Sequence, residues 1–190
     1  MDHNFWDDKY ICKKTGWDLG EVSPPIAAFI DTLTDKTERI LIPGCGNCYE
    51  AAYLLEKGFS NITLIDISTT LVNSLIQKFD KNQEITVVHG DFFEHKGKYD
   101  LILEQTFFCA LPPKMRMLYV DKMHDLLDTN GVLTGLLFNR EFDGGPPFGG
   151  STEEYQQLFK DKFDIQIMAN AYNSIAPRAN SEVFIYLKKR

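Results

Sequence analysis

Long apolar runs and concentrated positive charge are both missing from this 190-residue chain. No stretch approaches the roughly 18 apolar residues of a membrane span, and the start lacks the basic-then-apolar layout of a signal peptide. A soluble cytoplasmic protein with no membrane role is therefore expected. Lys and Arg total 20 against 27 Asp and Glu, for a formal charge of -7, and the longest basic cluster is the terminal Lys188-Lys189-Arg190. Phosphate backbones demand concentrated cations, so a nucleic-acid partner is disfavoured. Cysteine is scarce as well: Cys12, Cys45, Cys48 and Cys109 lack the density of a disulfide scaffold and read as free thiols. Cys45-x-x-Cys48 has no second pair, and the histidines at 3, 89, 95 and 124 are scattered, so no metal site is expected. Repeats, low-complexity segments and linkers are absent too, which favours one domain over residues 1–190.

What is present is an alternation. Apolar segments RILIP, ITLID, EITVVHG, YDLILEQ and VLTGLLF read as strands, separated by helical patterns beginning at Pro24-Pro25, Cys48, Ser68 and Lys114. Asn130-Gly131 reads as the close of the helix before the fifth strand. Strands this continuously apolar belong to a parallel sheet covered on both faces, hence a doubly wound α/β fold. The Gly/Pro-rich loop EFDGGPPFGG precedes a capping box, Ser151 to Glu154, and one more helix. FDIQIMANAY and SEVFIYLKK follow with no helix between them, as an antiparallel hairpin at the sheet's edge.

The first strand runs directly into Gly44-Cys45-Gly46. In an open α/β sheet a glycine turn there marks the ligand crevice. A dinucleotide fingerprint needs a third small residue where this chain has Tyr49, which argues against NAD. A nucleoside without phosphates needs only close backbone approach and a carboxylate for the ribose diol. Asp66, closing ITLID, is placed for that task. Asp91, after the third strand, can accept from an adenine amino group while Phe92 packs on the ring. The glycines alone also fit an ordinary strand-to-helix turn.

With these residues in view, the chain resembles class I S-adenosylmethionine-dependent methyltransferases. Within them it is similar to the thiopurine S-methyltransferase superfamily, especially the plant and fungal thiol and halide methyltransferase branch. FWDDKY, TGWDLG, PGCG, LIDIS, GDFF, FFCALPPKMR, GGPPF and SIAPR carry the resemblance. It implies a Rossmann-like seven-stranded sheet in the order 3-2-1-4-5-7-6. It also implies S-adenosyl-L-methionine as cofactor, with Trp6, Tyr10 and Trp17 in a segment, residues 1–23, that folds over it. Gly44 and Gly46 then underlie the cofactor, Asp66 holds the ribose, and Asp91 with Phe92 holds the adenine. Gln105 stands where relatives often carry Tyr or Arg near the methionine end.

An acceptor that brings its own electron pair, such as a thiol, hydrosulfide, thiocyanate, selenium compound or halide ion, needs positioning and dry surroundings more than a base. The sequence offers no motif for methylating base amino groups or cytosine carbon, which suits that class. Phe107, Phe108, Pro147 and Phe148 are candidate walls of the acceptor pocket. Arg116 and Arg178 could draw an anion to its mouth, and Tyr172 could hydrogen-bond the nucleophile. A thiopurine-like aromatic thiol, a non-catalytic adenosylmethionine binder and a dinucleotide oxidoreductase are the competing readings. A monomer acting on a small molecule is expected.

Overall fold

The computed structural model describes residues 2–190. Its strands are β1 (Ile40–Pro43), β2 (Ile62–Asp66), β3 (Ile85–His89), β4 (Tyr99–Gln105), β5 (Leu127–Phe138), β6 (Phe163–Asn170) and β7 (Glu182–Lys189). They form a single seven-stranded sheet in the order β3-β2-β1-β4-β5-β7-β6. The first five are mutually parallel, while β7 runs antiparallel to both β5 and β6. This is the mostly parallel, doubly wound sheet anticipated above, with the hairpin at its edge.

Residue alternation assigns the two faces. Ile40 and Ile42 of β1 and Leu101 and Leu103 of β4 pack on one side, with α2 (Pro24–Ile30), α3 (Tyr49–Glu56) and α4 (Thr69–Lys78). Leu41 and Ile102 point to the other, against α5 (Arg116–Leu126) and α6 (Thr152–Phe159). Each such fully buried side chain is worth about 1.5–3 kcal/mol relative to exposure, which is why strands covered on both faces need unbroken apolar sequence.

Three local features add to or depart from the sequence reading. The N-terminal stretch forms a helix, α1 (His3–Ile11), capped by Asp2, whose carboxylate accepts from the Phe5 N–H at 3.1 Å. Asn130-Gly131 does not end α5; it lies inside β5, with Asn130 in the left-handed region at φ 65°. The register against β4 jumps there, Tyr99 facing Leu127 but Leu101 facing Val132, so the extra residues bulge out of the strand. Only half of the capping box forms: Ser151 Oγ accepts from Glu154 N–H at 3.2 Å, but the Glu154 side chain turns away to Arg116.

The strand order reverses between β1 and β4, so the loops leaving their C-terminal ends diverge and open a crevice. Helix α1 and the segment up to Ser23 lie across it. His3 Nε2 is 2.7 Å from Thr69 Oγ1, and the Asp7 carboxylate accepts from Ser68 Oγ at 2.6 Å and Thr70 N–H at 2.8 Å. Those contacts fasten α1 to the start of α4.

Candidate functional site

The crevice is a cavity of about 590 Å³. Its floor is the glycine turn. Gly44 and Gly46 both sit at φ 54° and Cys48 at φ 50°, left-handed conformations that glycine adopts without strain. A Cβ on Gly44 would run into the Phe107 ring, whereas one on Gly46 would meet only Tyr10 Oη, 3.6 Å away. Backbone is thus brought against the cavity, with the cover close above it.

Asp66 reaches the cavity from the end of β2. Its carboxylate accepts from Ser68 N–H at 2.9 Å and Gly46 N–H at 3.4 Å, and burial pushes its pKa upward despite those donors. From the end of β3, Asp91 accepts from Phe93 N–H at 2.8 Å, and the buried Phe92 ring meets Phe107 edge-on at 5.1 Å. Gln105, from the end of β4, is the most telling. Its Oε1 is buried, has no hydrogen-bond partner among the described residues, and belongs to a residue lining the cavity. A buried acceptor without a donor costs about 1–3 kcal/mol, so a ligand bearing an N–H or O–H is the natural complement. Glycine turn, buried carboxylate and orphaned amide oxygen together fit an adenosyl nucleoside with a polar tail.

The cover contributes Trp6, Tyr10 and Trp17, all lining the cavity. Trp17 stands edge-on to Trp6 at 5.7 Å and to Tyr10 at 5.9 Å. Burial beside Asp66 pushes the Tyr10 hydroxyl far up, so it remains a neutral donor. The cover is also tied at its far end. Asp18 accepts from the Asn47 amide, and the Trp17 carbonyl accepts from Arg178 Nη2 at 2.8 Å.

The other end of the cavity is largely apolar. Phe107 and Pro147 line it as the sequence suggests, joined by Leu111, Met115, Phe138 and Phe142. Leu111 and Met115 fall within the FFCALPPKMR stretch without having been singled out in it, and Phe138 and Phe142 carry no sequence signal of their own; the fold brings the loops after β4 and β5 together. Cys109 also lines the cavity, its thiol held protonated by burial and by the charge of Glu104.

Four expected site residues are placed elsewhere. Phe108 is 1% exposed and packs edge-on against Tyr119 and Tyr155, because it points from its short turn into the core while Phe107 points into the cavity. Arg116 is 5% exposed and belongs neither to the pocket mouth nor to a solvated helix face. It falls on the buried stripe of α5 with Tyr119, Val120 and Met123, pairs with Glu154, and donates to the Gly149 carbonyl. Phe148 lies behind the cavity wall, its N–H bonded to the Cys109 carbonyl at 2.7 Å. Tyr172 is 91% exposed and lies outside the cavity; alternation past β6 buries Ala171 and turns Tyr172 to solvent. A hydrogen bond from Tyr172 to a nucleophile in this cavity is therefore ruled out.

Arg178 does line the cavity, yet its charge is already engaged. It is 8% exposed, with Nη1 3.2 Å from Glu182 and its guanidinium 5.5 Å from the Phe138 ring centroid. Among the described residues no three His, Cys, Asp or Glu side chains gather as a metal site would require, and no helix is long and apolar enough to cross a membrane.

Comparisons with known proteins agree with this geometry. A probable thiol methyltransferase 2 from Arabidopsis thaliana is 35% identical over 159 residues, covering 80% of this chain and 70% of that protein. Thiocyanate methyltransferase 1 from Brassica oleracea is 29% identical over 188 residues, covering 93% and 79%. Among solved structures, the 1,6-didemethyltoxoflavin-N1-methyltransferase of Burkholderia thailandensis, with S-adenosylhomocysteine bound, superposes with a TM-score of 0.78 over 98% of this chain and 86% of that one. At 18% identity, that likeness speaks for the fold alone. Residues 1–186 match the thiopurine S-methyltransferase (TPMT) family, and the chain therefore belongs to it.

Proposed function

We propose that the protein transfers a methyl group from S-adenosyl-L-methionine to the sulfur of a small nucleophile, a thiol, hydrosulfide or thiocyanate. Selenium and halide analogues belong to the same acceptor class. The observation that carries this reading is the convergence of Asp66, Asp91 and Gln105, from three successive strand ends, on one cavity above the Gly44–Gly46 turn. The names of the Arabidopsis and Brassica relatives support sulfur as the acceptor atom. In this reading the chain is one domain, a cytoplasmic monomer with no nucleic-acid partner, and residues 1–23 serve as its cover.

The cofactor supplies a methyl group already activated on a sulfonium, so the protein's task is alignment and exclusion of water. Asp66 offers carboxylate oxygens to a ribose diol, and two hydroxyl donors would draw its raised pKa back toward ionisation. Asp91 and Phe92 frame the base, and Gln105 Oε1 accepts from the amino-acid end. Trp6, Trp17 and Phe107 present π-systems suited to a cationic sulfur.

Among the described residues, no side chain at the acceptor end is poised as a base. Cys109 stays protonated, and the guanidinium of Arg178 is engaged by Glu182 and the Trp17 carbonyl. That suits a nucleophile that arrives ionised, since a free thiol with pKa near 8.5 is a few per cent thiolate at neutral pH. Attack of an anion on a sulfonium destroys charge, so an apolar wall favours the step.

The test is incubation with methyl-labelled adenosylmethionine and a panel of benzenethiol, hydrosulfide, thiocyanate and iodide. At least one sulfur acceptor should yield methylated product in step with adenosylhomocysteine. Binding of adenosylhomocysteine with no product from any acceptor would leave a nucleoside-binding protein and overturn the transferase.

A further inference from the structure

Glu50 is a buried acid that none of the roles above uses. It is 5% exposed, the second residue of α3, and lines the cavity. The other deeply buried carboxylates have assigned partners: Glu104 takes two backbone N–H groups and the Tyr119 hydroxyl, and Glu182 takes Arg178. Glu50 is approached only by the backbone N–H groups of Glu50 itself and Ser23, and burial pushes its pKa up. Among the described residues no ion pair includes it. Lys78, whose charge it feels, spends its ammonium on the Asn47 carbonyl at 2.7 Å.

We propose that Glu50 binds the α-ammonium group at the amino-acid end of the cofactor. This rests on the adenosylmethionine reading above. A buried carboxylate short of a cation, opening on a cavity, is best complemented by a ligand that brings one. The nucleoside contacts of Asp66, Asp91 and Phe92 use the adenosine half, which carries no ammonium. The amino-acid half carries both charges, and the same cavity is lined by Lys14 from the cover, a cation available for its carboxylate. Helix α3 begins at Tyr49, immediately after the glycine turn, so Glu50 is fixed to the element that floors the site. The competing role is structural: through Ser23 the carboxylate could merely dock the end of the cover on α3.

Calorimetry on the full chain separates the two with three ligands. Adenosylhomocysteine carries the ammonium, its deamino analogue lacks only that group, and 5′-methylthioadenosine lacks the whole amino-acid end. In the wild type, the deamino analogue should bind about 10- to 100-fold more weakly than adenosylhomocysteine, as expected for a charge-assisted hydrogen bond. Glu50→Gln should weaken adenosylhomocysteine by a similar factor, leave 5′-methylthioadenosine within about twofold, and lose much less than the wild type on removal of the amine, the remainder being the neutral contact to Gln105. Equal wild-type affinity for adenosylhomocysteine and its deamino analogue would overturn the inference without any variant. So would a Glu50→Gln protein that loses all three ligands alike, which is the structural outcome. Wild-type protein that binds none of the three would instead overturn the cofactor reading, and this inference with it.

Discussion

Glu104 lies wholly buried beneath the acceptor end, where its carboxylate holds the turn that carries Phe107. Oε1 accepts from Phe107 and Phe108 N–H at 2.8 and 2.9 Å, and Oε2 accepts from Tyr119 Oη at 2.6 Å. Burial outweighs these donors and raises its pKa to about 7. A carboxyl raised above its unfolded value near 4.5 favours the folded state at low pH, and that advantage fades as the unfolded chain ionises first. Wild-type stability should therefore decline between about pH 4.5 and 7, by on the order of 3 kcal/mol. Glu104→Gln keeps an acceptor for the two N–H groups but cannot ionise, so its thermal midpoint should fall less steeply over that window, with Asp66 and Glu50, also raised by burial, leaving a residual slope. Parallel pH profiles for the two proteins would remove Glu104 as the cause.

Among the elements, the cover is the part whose stability can be changed apart from the sheet. Helix α1 buries no residue completely, and beside the packing of Tyr10 on the core it is held by polar fastenings. Asp7 is the chief one, bridging to Ser68 and Thr70 with its pKa lowered by those hydrogen bonds, Ser68 first. A lowered carboxylate contributes above its unfolded value and loses that contribution as pH falls through the folded one, so the fastening is complete above about pH 4. Asp7→Ala should raise the dissociation constant for adenosylhomocysteine about 5- to 10-fold and quicken its release. The thermal midpoint of the sheet should move little. Stopped-flow release and thermal unfolding measure the two effects, and unchanged release would mean that α1 does not close over the ligand. Helix α1 itself escaped the sequence because its apolar residues do not form a sustained stripe, and Trp6 and Tyr10 face the cavity.

For the molecule as a whole, the alternation of apolar segments was enough to foresee a doubly wound sheet, because strands buried on both faces cannot disguise themselves. Gly44, Gly46, Asp66 and Asp91 could be placed on one edge for the same reason: Asp66 closes a strand, the others lie within three residues of one, and strand ends are where this fold opens. Side chains farther from that edge could not be placed. Arg116 and Tyr172, both expected at the acceptor end, lie away from it, one sunk into an ion pair with Glu154 and the other out in solvent. Glu50 and Phe142 gave no signal, since an acid at a helix start and a ring in a loop are ordinary until the fold sets them around one cavity. Every role given to these residues requires that the cavity take an adenosyl nucleoside. Calorimetric titration of the purified chain with adenosylhomocysteine, with NAD as the control ligand, tests it most directly. One site with a dissociation constant near the micromolar range, about 8 kcal/mol of binding free energy, and no heat from NAD is the predicted result. No heat from adenosylhomocysteine, or tighter binding of NAD, would contradict it.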